Sequence, residues 1–150
     1  MNRDFFINKL HCELGIVSQE INPSVISDKL NIIPDYSYCK GDFFQSKQSG
    51  RSGKRFQNLW TVKSKQTVIE DENIEPHLVY FQNLLKDKLI DIHELKNNPN
   101  CVVNFWIWIE TENAGFGLDL STEDLQFISS ISNRVHISFL ANQKIEEDEN

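Results

Sequence analysis

The 150-residue chain is 39% hydrophobic and 11% aromatic, which excludes global disorder and suits one domain able to bury roughly 70% of the surface its unfolded chain exposes. Its formal net charge is −7, from 15 basic and 22 acidic residues, and such a balance argues against a nucleic-acid partner, whose phosphates would be repelled at long range. No apolar run approaches the ~18 residues of a membrane span, and the opening MNRDFFINKLHCELG lacks the clean apolar stretch of a signal peptide, so the expected address is the cytoplasm.

The first predicted element is a strand over Phe5 to Leu14. Phe6, Leu10, Cys12 and Leu14 share one parity, and Lys9, His11 and Glu13 share the other. A short helix follows in INPSVISDKLNIIP, with Asn22 as its cap and Pro23 at the first helical position, where a missing N–H costs nothing. Ile21 and Ile26 have the spacing of a hydrophobic staple, and Pro34 marks the exit. YCKGDFF reads as a short strand, and FQNLWTVKS as another with Trp60 and Val62 on one face.

EDENIEPHLVYFQNLLKDKL predicts the main helix. Ile74, Leu78, Phe81, Leu85 and Leu89 recur at steps of three and four, and Pro76 fits only in the first turn. IDIHELKNNP predicts a further short helix. CVVNFWIWIE is apolar on both parities, which fits a central strand covered on both faces or one whose second face is an aromatic surface. TENAG then reads as a hairpin turn and FGLDL as its returning strand. Ser121 with Asp124 opens the last helix with capping-box spacing, and RVHISFL closes the domain as a strand with Val135, Ile137 and Phe139 inward.

These elements give an α+β fold: a largely antiparallel sheet of about five to six strands with three or four helices packed on one face. Each half carries strands and a helix opened by a capped, stapled turn, the pattern a diverged internal duplication would leave. Residues 1–141 form the single domain. Residues 142–150, with four of the 22 acids in Glu146-Glu147-Asp148-Glu149, are expected to be a disordered, solvating tail.

The stretch SKQSGRSGKRF concentrates Lys47, Arg51, Lys54 and Arg55. It fails as a phosphate loop, since Gln48 stands where the first glycine belongs and Arg55 where a magnesium-binding hydroxyl belongs. Strands flank its Gly50-Arg51-Ser52-Gly53, whereas the nucleic-acid clamp of that form joins helices. A mobile, solvated loop is the expectation, able to touch a partner.

No catalytic constellation is legible. His11, His77, His93 and His136 have no metal-site spacing, and Cys12, Cys39 and Cys101, odd in number and far apart, fit reduced thiols rather than a disulfide framework or a zinc site. No cofactor and no metal is expected. His11 and His136 lie opposite the apolar parity of their strands and could converge with Glu13. The aromatic residues say more: Trp106 and Trp108, on the second parity of their strand, suit an open sheet surface that anchors a protein partner.

The order INPSVISDKLNIIP, CKGDFF, LWTVKS, HLVYFQNLL, GLDLSTEDLQFIS and VHISF resembles the bacterial family called domain of unknown function 4279, over about Phe5 to Leu140. The family's last strand tends to be rich in aspartate, and VHISF is not, so no role for such acids carries over. The resemblance implies a small bacterial cytoplasmic α+β domain. Many such families stand beside toxins as immunity proteins. The expectation is therefore a non-enzymatic protein-binding domain, an immunity protein that occludes a cognate and basic toxin, with contacts at Trp106, Trp108, Glu110, Glu112 and Asp119. The alternative is a small-molecule-binding or hydrolytic protein with a pocket between sheet and helices, using His11, Glu13 and His136.

Overall fold

Apolar alternation at the start of the chain builds the central strand, β1 (Lys9–Ser18), in a computed structural model that describes residues 7–69, 72–112 and 115–141. Leu10, Cys12, Leu14 and Ile16 are buried on one face, while His11, Glu13 and Val17 stand on the other. The strand runs past its expected end at Leu14. Gly15 does not break it, because the ladder holds it on both sides, opposite Thr61 and Asn104. The expected start at Phe5 and the inward Phe6 lie outside the described residues.

Helix α1 (Pro23–Leu30) forms as its signals dictate. The Asn22 side chain accepts from the Ser24 N–H at 2.9 Å, Pro23 occupies the first turn, and Asn31 ends the helix in the left-handed region at φ 52°. The stretch read as one strand, YCKGDFF, is two: β2 (Tyr36–Tyr38) and β3 (Phe43–Gln45). Asp42 breaks the run by accepting from the Cys39 N–H at 2.8 Å. The basic stretch is likewise no open loop. β3 pairs with β4 (Ser52–Lys54) in a two-stranded hairpin whose tip turns at Gly50, where φ 67° favours glycine.

β5 (Asn58–Lys63) pairs antiparallel with β1 and carries the buried Trp60 and Val62. α2 (Glu75–Leu85) buries Leu78, Phe81 and Leu85, with Pro76 in its first turn. The helical stripe was expected to reach Leu89, but that residue starts α3 (Leu89–Asn97) and is exposed, because the chain bends at 86–88. α3 contributes Ile92 and Leu95 to the core.

β6 (Cys101–Thr111) alternates fully, with Val103, Phe105, Ile107 and Ile109 buried and Val102, Asn104, Trp106, Trp108 and Glu110 half-buried. Among the described residues the predicted hairpin after it is absent, and positions 113–114 of its expected turn lie outside them. Residues 115–121 have no strand, although Phe116, Leu118 and Leu120 pack against the core at the alternation read from FGLDL. The chain crosses instead through α4 (Thr122–Ile131) to β7 (Arg134–Ala141), which lies parallel to β6; parallel neighbours require a crossover. Ser121 and Asp124 close the expected capping box in both directions, at 3.0 and 3.1 Å.

The main sheet has the order β2-β5-β1-β6-β7, antiparallel except for β6 and β7, with the helices on one face. α1 leads to β2, which β5 separates from β1, whereas α4 leads to β7 directly beside β6, so the two halves do not share one strand arrangement. A correction applies to β7. Val135, Ile137 and Phe139 share the core parity, in register with Phe105, Ile107 and Ile109, but are 47%, 51% and 61% exposed. Parity gives the face; being an edge strand beyond the cover of the helices gives the exposure. The acidic tail, 142–150, lies outside the described residues.

Candidate functional site

Among the described residues, the helices lie on one side of the sheet and leave its other face without a covering layer. Its side chains follow from register. Leu59, Thr61 and Lys63 of β5 stand there with Tyr36 and Tyr38 of β2. His11, Glu13 and Val17 of β1 come next, then Asn104, Trp106, Trp108 and Glu110 of β6, and Arg134, His136 and Ser138 of β7.

An aromatic ladder crosses the middle of this face. His136 stacks on Trp106 at 4.1 Å between centroids, Trp106 on Trp108 at 5.0 Å, and Trp108 on His11 at 6.2 Å, with interplanar angles of 10–13°. The cause is cross-strand register: His136 is paired with Trp106, and His11 with Trp108. Rings stacked on one another spend their faces internally and turn their edges to solvent. Toward the β2 edge, the Arg55 guanidinium lies 4.1 Å from the Tyr38 centroid and 4.4 Å from that of Phe44, and donates to the Tyr36 hydroxyl at 3.2 Å.

Glu13 is the polar centre of the face. Its carboxylate lies 3.2 Å from His11 Nε2 and 3.8 Å from Lys63 Nζ, and its side chain is only 14% exposed. Partial burial pushes its pKa up, but the His11 hydrogen bond and the charges of Lys63 and His11 outweigh this and hold the carboxyl below the ordinary range. The Trp108 indole N–H points toward the same carboxylate and helps hold it ionised, without a hydrogen bond of good geometry.

Beside the ladder the face dips. Gly15 has no side chain, and a Cβ there would meet only Thr61 Oγ1, at 3.8 Å. The resulting groove, about 430 Å³, is walled by Glu13, Thr61, Asn104, Trp106, Arg134 and His136. Asn104 Oδ1 is sealed from solvent and has no hydrogen-bond partner among the described residues. A second groove, about 600 Å³, lies along Trp108 between Lys9, His11, Lys65, Ser138 and Phe139.

The structure brings together Trp106, Trp108 and Glu110, the last 3.9 Å from Lys9. Glu112 stands just past the end of β6, its N–H donating to Asn8 Oδ1 at 2.8 Å. Asp119 is exposed on the irregular segment that packs on the core beside Phe139, away from the ladder. His11, Glu13 and His136 share the uncovered face rather than a pocket between sheet and helices. Gly15, Asn104, Arg134, Tyr36 and Tyr38 were not singled out; a glycine inside an alternating strand was the available signal for the groove.

Two groups of chemistry-bearing side chains are inward, while His93 is exposed and Cys39 half-buried. Ser64 and His77 form a buried pair at 2.5 Å, and Ser64 Oγ also contacts the Cys12 N–H and carbonyl at 2.9 and 3.0 Å. All three contacts are satisfied together when His77 donates from Nδ1 and Ser64 donates to the carbonyl. This clasp ties β1 to the 3-10 turn Ser64–Gln66 and to α2. Burial pushes the Cys12 and Cys101 thiols up, away from reactive thiolate. Among the described residues, no group of three or more His, Cys, Asp or Glu could hold a metal ion, and no helix is long and apolar enough to cross a membrane.

The family described as domain of unknown function (DUF4279) matches residues 8–142. No curated protein and no solved structure matches the chain.

Proposed function

The chain belongs to the DUF4279 family, and on that premise we propose a non-enzymatic protein-binding domain that takes its partner on the helix-free face of its sheet. One observation carries this reading: the half-buried ladder of His136, Trp106, Trp108 and His11 on a face that nothing in the chain's described residues covers. Rigid aromatic groups at the centre of a surface, with charged groups around them, are the composition of a binding hot spot. The finer role is that of a bacterial immunity protein, acting in the cytoplasm, that occludes a toxin encoded beside it. It draws on the family resemblance and on this surface.

The test is co-expression with the product of the adjacent gene, followed by purification of the complex and a growth assay. The native chain is expected to bind and to restore growth. The Trp106→Ala/Trp108→Ala double variant, verified as folded by circular dichroism, is expected to lose at least tenfold in affinity. A partner held equally well by the double variant would refute the use of this face; no binding and no rescue would refute the immunity role.

The alternative, a ligand-binding or hydrolytic role, has one observation in its favour: Glu13 and His136 both line the groove over Gly15. Turnover of ester or phosphoester substrates that is abolished by Glu13→Gln would establish it in place of the binding reading.

A further inference from the structure

The charge of the open face is opposite to that of the molecule. Lys9, Lys63, Lys65, Arg55 and Arg134 stand on or beside it against Glu112, just past the end of β6, and against Glu13 and Glu110 on the face itself. Both acids on the face are already met, Glu110 by Lys9 and Glu13 by Lys63. Arg55, Lys65 and Arg134 have no carboxylate within 4 Å among the described residues. The helical layer shows the reverse, with Asp28, Glu75, Asp87, Asp91, Glu94, Glu123 and Asp124 against Lys29, Lys86, Lys88 and Lys96. Among the described residues the helical layer thus carries an excess of acid behind the sheet, and a partner approaching the ladder meets a positive surface.

We infer that the open face receives an acidic protein segment, and that one of its carboxylates seats in the groove over Gly15 beside Arg134 and His136. This rests on the protein-binding reading above and reverses the basic toxin expected from the net charge: the segment that meets this face is acidic. The groove offers donors: the Arg134 guanidinium, the Thr61 hydroxyl, the Gln57 amide and the His136 ring. The Asn104 side chain lines the same groove, its Oδ1 sealed from solvent and without a partner among the described residues. Glu13 is the one acid on the wall, and Lys63 and His11 hold its charge. The ring edges beside the groove carry the positive rim of the aromatic quadrupole, which also favours an anion. A protein carboxylate fits better than nucleic acid. The ring faces that bases would stack on are occupied by neighbouring rings, and the acidic helical layer repels a long phosphate chain.

The test titrates the full chain with three decapeptides, rich in glutamate, in lysine or in neutral residues, and with a single-stranded oligonucleotide of the glutamate peptide's charge. Backbone amide NMR shifts on β1, β6 and β7 are the readout. The glutamate peptide is expected to bind alone, to shift Gly15, Asn104 and Arg134, and to weaken as salt rises. Gly15→Val fills the groove floor with a residue suited to a strand, and Arg134→Glu reverses the rim at an exposed position; each is expected to weaken binding at least tenfold. Equal binding of the lysine peptide, tighter binding of the oligonucleotide, no binding by the glutamate peptide at 1 mM, or binding indifferent to both substitutions would overturn the inference. If the adjacent-gene partner is lost with Trp106→Ala/Trp108→Ala but kept with Gly15→Val and Arg134→Glu, the face stands as the interface and the carboxylate seat falls.

Discussion

At the scale of single residues, two polar side chains do most to fix the sheet. Ser64 is fully buried and makes three contacts at once, so Ser64→Ala strands the Cys12 N–H and removes the partner of His77 Nδ1. A loss of about 2 kcal/mol is expected in urea denaturation. Glu13 is the second. Its folded pKa is depressed, so its contribution to stability is present above the unfolded value of about 4.3 and disappears as pH falls through the folded value. Glu13→Gln is therefore expected to cost about 1 kcal/mol at pH 7 and progressively less below about pH 4. A gap that persists unchanged at acid pH would show that packing, not charge, is what the substitution removes. The identity of both residues was in plain view in the sequence, but the partners that matter are 52 positions away for Ser64 and Cys12, and on another strand for Glu13 and Lys63.

At the scale of elements, local chemistry explains where chain segments start, and pairing explains what they become. The Asn22 cap and the Ser121–Asp124 box each open a helix at the residue expected, because a cap is satisfied within three positions of itself. FGLDL alternates as a strand would, yet it remains irregular, since alternation requires only one buried side and a strand requires a partner edge. β7 gives the same lesson in the other direction. Ile107 and Ile137 are cross-strand neighbours on one parity, but only Ile107 lies under helices. Ile107→Ala is expected to cost about 3 kcal/mol, and Ile137→Ala under about 1 kcal/mol, in the same denaturation assay. Similar losses at both sites would mean that β7 is covered in solution.

At the scale of the whole molecule, the separation of charge is what a chain-long total hides. Acids gather on the helical layer and cations around the open face, so association through that face should depend on screening: raising salt from about 0.05 to about 0.5 M is expected to slow partner association about tenfold, with dissociation changed little. A rate that rises with salt would place the contact on the acidic helical layer instead. The sequence by itself determined the fold class, the capped helices, the apolar parity of β1, β5 and β6, and the presence of Trp106 and Trp108 on the face opposite the core. Each of these depends on neighbours within a few positions or on the period of two that every strand imposes. Only the tertiary structure decided that β7 lies parallel at an edge, that four rings from three strands stack into one ladder, that Gly15 opens a groove beside Asn104 and Arg134, and that this face is positive on an acidic protein. Those features are set by which strands become neighbours and in what register, and that choice is made by the burial of the whole core rather than by any one segment.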